Sequence, residues 1–402
     1  MSTTRPARLL VYFALSVACA IASAAEPRAR YLGVPFEGTP GTLNAITDVA
    51  GVSVGQVTLI EDLANGHKVR TGVSAILPRG RATSDTPVFA GWFALNGNGE
   101  MTGTAWLEES GQLEGPVMLT NTHSVGVVRD AVIAERARAG SADASGYWWS
   151  LPIVAETWDG HLNDINGFHV TPEHTAQALR EAKGGAVAEG NVGGGTGMVC
   201  HEFKCGIGTA SRRVTGEGQD YTVGVLVQAN YGVRDTLRIA GVPVGQHLRE
   251  DRVYTDPALA MAGHDVPDGD TGSIIVVVAT DAPLLPHQLK RTAKRAGMGL
   301  ARMGSYAGNG SGDIFVAFST ANAAAAAGGK INDAQFVGND HLDGLFEATV
   351  QATEEAIVNA MVAARDMTGE DGHYAKTLPH AELVRLLKRY GRYKPPKYRS
   401  PK

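Results

Sequence analysis

The sequence predicts a layered α/β fold, an αββα sandwich in which mixed sheets are covered by helices. Three observations carry that prediction. β-type segments come first and in numbers, long amphipathic helical patterns follow, and the two do not alternate strictly as βαβ units would. The 402 residues are enough for one large or two ordinary domains with a substantial core. Gly accounts for 50 residues and aromatics for only 6%, which favours tight turns and small-residue packing.

Taken in order, residues 1–25 read as a processing segment. Arg5 and Arg8 form a basic start, residues 9–21 an apolar run, and Ala22, Ser23, Ala24 and Ala25 a small-residue cleavage site. The expectation is a cleaved secretory signal and a periplasmic protein. Cys19 does not make a lipoprotein signal, because Ser16 stands where an aliphatic residue is wanted. No later stretch is long and apolar enough for a membrane span. A net charge of -5 gives no electrostatic case for nucleic acid. Removal of the signal leaves Cys200 and Cys205, which could pair in an oxidising compartment, although spacing alone does not say so. No Cys/His spacing matches a zinc site, and neither metal nor cofactor is expected.

From residue 31 to about 95 the pattern is short strands and turns, with strands expected at 46–49, 52–60 and 69–77. Gly51-Val52-Ser53-Val54-Gly55 spells a nucleophile elbow, but that motif needs a helix after the serine, and 56–60 is β-type. Residues 117–128 suggest a strand that turns at a polar centre and enters a helix near Asp130. Asn121 and His123 there could face a pocket or merely bond the turn. Around 151–169 an apolar run carrying Glu156 gives way to an Asn/Asp/Gly-rich loop. Glu156 could capture a cationic group or cap a neighbour. A helix follows, with Thr171 as N-cap, Pro172 at its first position and Gly184 past its end.

Gly193-Gly194-Gly195-Thr196-Gly197 lacks the ending of a phosphate-binding loop, so its glycines more plausibly allow close backbone approach. Residues 221–229 form a strong strand ending at Asn230, whose amide could donate to an oxyanion or hold a turn.

The loop at 268–272 then runs without a break into Ser273-Ile274-Ile275-Val276-Val277-Val278, the vocabulary of a buried strand. If the Gly272–Ser273 bond were cut, Ser273 would hold a free α-amine beside its own hydroxyl, on a rigid element. Such an amine (reference pKa about 7.7–8.0) can act as general base near neutral pH. The stretch alone also fits an ordinary loop-to-strand junction, the commoner case.

Asp281-Ala282-Pro283 is expected to open a helix with apolar residues Leu285, Leu289, Ala293, Ala296 and Leu300, and with Lys290, Arg291, Lys294 and Arg295 on a solvated face. Residues 308–313 lead a second polar loop into a core strand at 314–320. A long amphipathic helix spans Phe346 to Ala364 and closes at Gly369, another runs over 380–390, and the basic tail from Arg392 is expected to fray.

Taken together, these residues resemble the DmpA-like aminopeptidases, the L-aminopeptidase/D-amidase-esterases and β-peptidyl aminopeptidases. The runs that carry the resemblance are Thr271-Gly272-Ser273-Ile274-Ile275-Val276, Asp281-Ala282-Pro283-Leu284 and Ser311-Gly312-Asp313-Ile314-Phe315. Asn121-Thr122-His123, Glu156-Thr157-Trp158-Asp159-Gly160, Gly193-Gly194-Gly195-Thr196-Gly197-Met198 and Gln228-Ala229-Asn230-Tyr231-Gly232 extend it over essentially the whole mature chain.

The resemblance implies an αββα fold like that of N-terminal-nucleophile hydrolases but with different connectivity, as in ornithine acetyltransferases. It also implies self-cleavage between Gly272 and Ser273, giving an α-chain of 26–272 and a β-chain of 273–402 within one catalytic domain. By position, Ser273 is the nucleophile, Ser311 and Asp313 belong to its network, Asn230 stabilises the oxyanion, and Glu156 binds the substrate's free amine. Where some members carry Glu, this chain has the shorter Asp313. The implied substrate is a small peptide, amide or ester with a free N-terminal amine, and the implied assembly a tetramer of αβ pairs. An acyltransferase of the ornithine acetyltransferase type is the first alternative; serine in place of threonine, and the signal, weigh against it. The second is a non-catalytic periplasmic binding protein, against which stands the retention of Ser273, Ser311, Asp313 and Asn230 together.

Overall fold

A computed structural model describes residues 27–80, 86–140, 149–216, 218–253, 269–326 and 330–396. The segment read as a signal, 1–25, lies outside them.

Strands β1 (Ser53–Asp62), β2 (Lys68–Leu77), β5 (Val117–Asn121) and β6 (Ile153–Thr157) form one sheet, in the order β1-β2-β5-β6. A second sheet is built from β3 (Val88–Ala94), β4 (Gln112–Leu113), β9 (Ile207–Thr215), β10 (Asp220–Asn230), β11 (Ser273–Thr280) and β12 (Gly312–Ser319). Its order is β4-β3-β12-β11-β10-β9. β7 (Val199–Cys200) and β8 (Phe203–Lys204) make a small separate hairpin. The helices are α1 (Thr104–Ser110), α2 (Val125–Ala139), α3 (Pro172–Glu181), α4 (Val244–His247), α5 (Pro286–Arg302), α6 (Asp343–Val362) and α7 (His380–Arg389).

The layering follows from side-chain alternation along the strands. On β11, Ile274, Val276 and Val278 pack with Leu289 and Ala293 of α5 and with Ala352 and Ile357 of α6. Ile275, Val277 and Ala279 point the other way, into a core shared with Leu119 of β5 and Ala155 of β6. The outer face of the first sheet buries Val73, Met118 and Val154 under Val128 and Val132 of α2 and Ala178 of α3. Helix, sheet, sheet, helix is the predicted sandwich. Each fully buried Val or Ile adds about 1.5–3 kcal/mol to that arrangement, which explains why a run such as 274–278 fixes a central strand.

Several boundaries differ from expectation. Residues Ile46–Asp48 form a 3₁₀ turn instead of a strand, because the Asp48 carboxylate accepts from the Leu43 and Ala45 N–H groups. α2 begins at Val125 and not near Asp130, since Asn121 Oδ1 accepts from Ser124 N and starts the turn early. α5 starts at Pro286: Asp281 instead accepts from Thr222 N, and Ala282 N donates to Thr280 Oγ1, so 281–285 is an extended connection. The cationic face of α5 is less solvated than expected, for Arg291 and Arg295 lie 5.3 and 3.9 Å over the Phe346 ring. α6 ends at Val362, and Gly369 instead lets its backbone approach Leu162. The start of the tail does not fray, because Lys394 N donates to Gly33 O and Arg392 Nε to Ala240 O.

Two other readings match. Ser53 enters a strand and no helix, so the elbow is absent. In the glycine cluster, a Cβ on Gly193 would lie 2.2 Å from Ser74 Oγ, and one on Gly195 2.4 Å from Ile207 N, so close approach is what these glycines permit.

Candidate active site

The site is a row across the second sheet. β11 runs antiparallel to β10 and parallel to β12, and the registers place Asn230, Ser273 and Gly312 side by side at the strand heads. Two central strands therefore deliver their first residues, and a third its last, to one sheet end. Ser273 is buried, and its Oγ accepts from Gly312 N at 3.2 Å. The same N–H donates to Gly272 O, also at 3.2 Å. One backbone donor thus touches both the carbonyl before the serine and the serine hydroxyl. Gly272 has no room for a side chain: a Cβ would sit 2.1 Å from Asn230 O and 2.5 Å from Tyr231 Cα.

Ser311 and Asp313 flank Gly312. Ser311 Oγ donates to Asp313 Oδ1 at 2.7 Å, so the shorter carboxylate reaches its serine. Burial pushes the Asp313 carboxyl up to about 6, opposed by the hydrogen bonds from Ser311 and Asn96, and the Asp270 carboxylate adds to the rise. Asn96 grips Asp313 twice. Its Oδ1 accepts from Asp313 N at 2.5 Å and its Nδ2 donates to Asp313 Oδ2 at 3.1 Å. Sequence reasoning missed Asn96; the only signal was an Asn-Gly-Asn-Gly turn at 96–99 after an apolar strand.

Asn230 is positioned at both ends of its amide. Oδ1 accepts from Val199 N and Nδ2 donates to Trp158 O, each at 2.8 Å. An amide nitrogen carries two hydrogens, so one donor remains for an oxyanion. Val199 opens the hairpin of β7 and β8, whose two turn residues, His201 and Glu202, are both left-handed (φ 48° and 59°). Cys200 and Cys205 are joined by a disulfide across it, which resolves the pairing.

Glu156 is buried on β6. It accepts from Glu100 N at 2.9 Å and from the Thr122 hydroxyl, and burial raises its carboxyl above the ordinary range. A Cβ on Gly99 would lie 3.4 Å from Glu156 Oε1 and 3.1 Å from Gly312 Cα, so Glu156 faces the strand heads across the 96–100 loop. Asn121 holds the turn, bonding Ser124 N and Thr71 Oγ1, while His123 is exposed and stacks on Phe168. The structure therefore brings Gly272, Ser273, Asn230, Ser311 and Asp313 to one place, with Glu156 at its edge. A cavity of about 180 Å³ opens beside Gly272, lined also by Trp158, Asn230, Tyr231 and Asp270.

Elsewhere, His67, Asp164 and Glu370 place potential ligand atoms within 4.8 Å of one another at the β1–β2 turn. Those atoms already pair, Glu370 Oε1 with His67 Nδ1 at 2.5 Å and Asp164 Oδ2 with His169 Nε2 at 2.9 Å. Among the described residues no helix is long and apolar enough to cross a membrane.

Two sheets between helix layers, with a serine heading a central strand, give the class of fold: a variant of the N-terminal-nucleophile hydrolase fold. Residues 44–375 match the model of peptidase family S58, and the chain belongs to that family. It is similar to the beta-peptidyl aminopeptidase BapA of Sphingosinicella microcystinivorans, 58% identical over 379 residues covering 92% of this chain and 94% of that protein. A beta-peptidyl aminopeptidase BapA of Sphingosinicella xenopeptidilytica is 47% identical over 392 residues, 94% of this chain and 95% of that one. Among solved structures, the L-aminopeptidase D-Ala-esterase/amidase of Ochrobactrum anthropi superposes with a TM-score of 0.83 at 48% identity, covering 92% of this chain and all of that one. That protein is described as a prototype for the serine aminopeptidases and a new variant among the Ntn hydrolase fold. The protein is an enzyme, a hydrolase of the aminopeptidase type.

Proposed function

We propose that this aminopeptidase cuts its own chain between Gly272 and Ser273 and then uses Ser273, as the new N-terminus of a 273–402 chain, to remove N-terminal residues from short peptides, amides or esters. The observation that carries the reading is the Gly312 N–H, 3.2 Å from both Gly272 O and Ser273 Oγ. A donor on the carbonyl oxygen polarises the group to be attacked, while the hydroxyl that would attack is the adjacent one.

In maturation, Ser273 Oγ adds to the Gly272 carbonyl carbon. The C–N bond breaks as the nitrogen takes a proton, which leaves an ester on Oγ, and water then releases the Gly272 carboxylate. Absence of a Gly272 side chain lets the carbonyl approach β10 closely enough for this. In turnover, the freed α-amine takes the Ser273 hydroxyl proton, Ser273 attacks the first carbonyl of the substrate, and water hydrolyses the acyl-enzyme. Asn230 Nδ2 supplies an oxyanion donor, and the Ser311–Asp313 pair tunes the proton acceptor. Glu156 captures the substrate ammonium. An internal peptide bond would leave that carboxylate unpaired, which favours exopeptidase action.

The relatives' names support β-peptides as the first substrates to assay, beside L-amino acid amides and D-alanine esters. We also place the enzyme in the periplasm, on the residue pattern at 1–25, and take its working form to be a tetramer of αβ pairs. The test is Ser273→Ala: the variant should stay one uncut chain without activity, and normal processing of it would defeat the proposal.

A further inference from the structure

We infer that Asp270 and the cavity it lines serve the self-cleavage, with the Asp270 carboxylate acting as the base that activates the water which opens the Gly272–Ser273 ester. The inference rests on the self-cleavage reading above and assigns it a residue.

Asp270 lies two residues before the bond and is only 3% exposed. Its Oδ1 is occupied, accepting from Gly232 N at 2.8 Å and from Gly272 N at 3.3 Å. Oδ2 is buried and has no hydrogen-bond partner among the described residues. A buried carboxylate oxygen left without a donor is costly, and such a group is ordinarily met by water or by a reacting species. Tyr231, 1% exposed, has a hydroxyl in the same condition, and the Asp270 carboxylate bears on it electrostatically. Both side chains line the cavity of about 180 Å³ onto which Gly272 opens, so there is room for water.

The position of Asp270 is fixed from three sides. Its N–H donates to Tyr306 Oη at 3.0 Å, its Oδ1 holds the Gly272 N–H, and the backbone at Gly308 packs so closely that a Cβ there would lie 2.8 Å from Asp270 Cβ. A base acts directly or through one water, and the bond from Oδ1 to Gly272 N holds the Asp270 carboxylate beside the residue whose carbonyl is attacked. In the step, the cavity water adds its oxygen to the ester carbonyl carbon of Gly272 and gives a proton to Asp270 Oδ2. The C–Oγ bond then breaks, Ser273 Oγ recovers that proton, the second water proton passes to the freed Ser273 α-amine, and Gly272 leaves as the carboxylate that ends the α-chain. Nothing is oxidised or reduced.

The test follows maturation of freshly synthesised full-length chain by denaturing mass spectrometry, with samples quenched into hydroxylamine. Esters yield to mild hydroxylamine whereas ordinary peptide bonds do not, and fragments from the chain's Asn-Gly bonds, such as Asn96-Gly97 and Asn309-Gly310, differ in mass from those expected at Gly272. Asp270→Asn should mature about tenfold or more slowly, and hydroxylamine should split the unmatured chain into one fragment ending in a Gly272 hydroxamate and another beginning at Ser273. Asp270→Glu, which restores a carboxylate, should recover maturation, and it decides the matter if the Asn variant fails to fold. The assignment is overturned if Asp270→Asn matures at the wild-type rate, if it stalls without a hydroxylamine-sensitive ester, or if Asp270→Glu stalls like Asn. A wild-type chain that never splits would defeat the self-cleavage reading itself; a wild type that splits with Asp270→Asn keeping pace would defeat only this assignment.

Discussion

Ser53 and Ser273 each follow a glycine-bearing turn and begin a β-strand, and they stand in different chemistry. Ser53 heads β1, the edge strand of the four-stranded sheet, and is half-buried. Ser273 heads β11, with β10 and β12 on either side, and is 6% exposed. Beside Ser53 lies Leu77, its partner in register on β2. Beside Ser273 lie Asn230 on one strand and Gly312 on the other, with Ser311 and Asp313 flanking the glycine. The local letters are nearly the same. What differs is the number of neighbouring strands whose ends carry polar groups, and that number is set by sheet order.

The largest effect expected from this contrast is between alanine substitutions at the two serines. Ser53→Ala should leave processing and turnover unchanged, whereas Ser273→Ala should abolish both; denaturing electrophoresis and a peptide-amide assay read them together. Loss of processing in Ser53→Ala would erase the contrast. Next comes Asn230→Ala, expected to lower kcat by roughly 10²–10³ with KM little changed, since an oxyanion donor acts in the transition state. An effect confined to KM would make Asn230 a binding group instead.

Glu156→Gln removes charge while keeping shape. It should raise KM for substrates with a free amine and leave N-acetylated ones, already poor, unaffected. A smaller effect is a pH shift. Asn96 donates to Asp313 and favours its ionised form, so Asn96→Ala should move the acid limb of kcat from near pH 6 to higher pH. A shift downwards would contradict that role.

Asp313 also has a stability signature. Its carboxyl sits at about 6 in the fold against an ordinary 3.8, so across that window the folded state holds the extra proton. Stability from this group therefore falls as pH rises from 3.8 to about 6 and is level above. Asp313→Asn should flatten that slope in thermal melts.

How legible these features were depended on how local their causes are. β11 could be read because five successive β-branched residues, 274–278, need no partner to declare a buried strand. The serine's placement followed from the glycine before it. The start of α5 was not legible because one of the bonds that keep 281–285 extended reaches Asp281 from Thr222 N, some sixty residues away. The same holds for Asn96, whose two bonds to Asp313 cross more than two hundred residues. The family resemblance carried Asn230, Ser311, Asp313 and Glu156 over by position. It had nothing to say of Asn96 or of the Gly312 N–H, which exist only once β3, β11 and β12 are side by side.

Self-cleavage is tested by the intact mass of the purified protein under denaturing conditions, with N-terminal sequencing of each chain. Two chains are expected, one beginning Ser273-Ile274-Ile275. A single chain that stays uncut through prolonged incubation, yet hydrolyses peptides, would contradict it, because Ser273 would then have no free amine to act as its base.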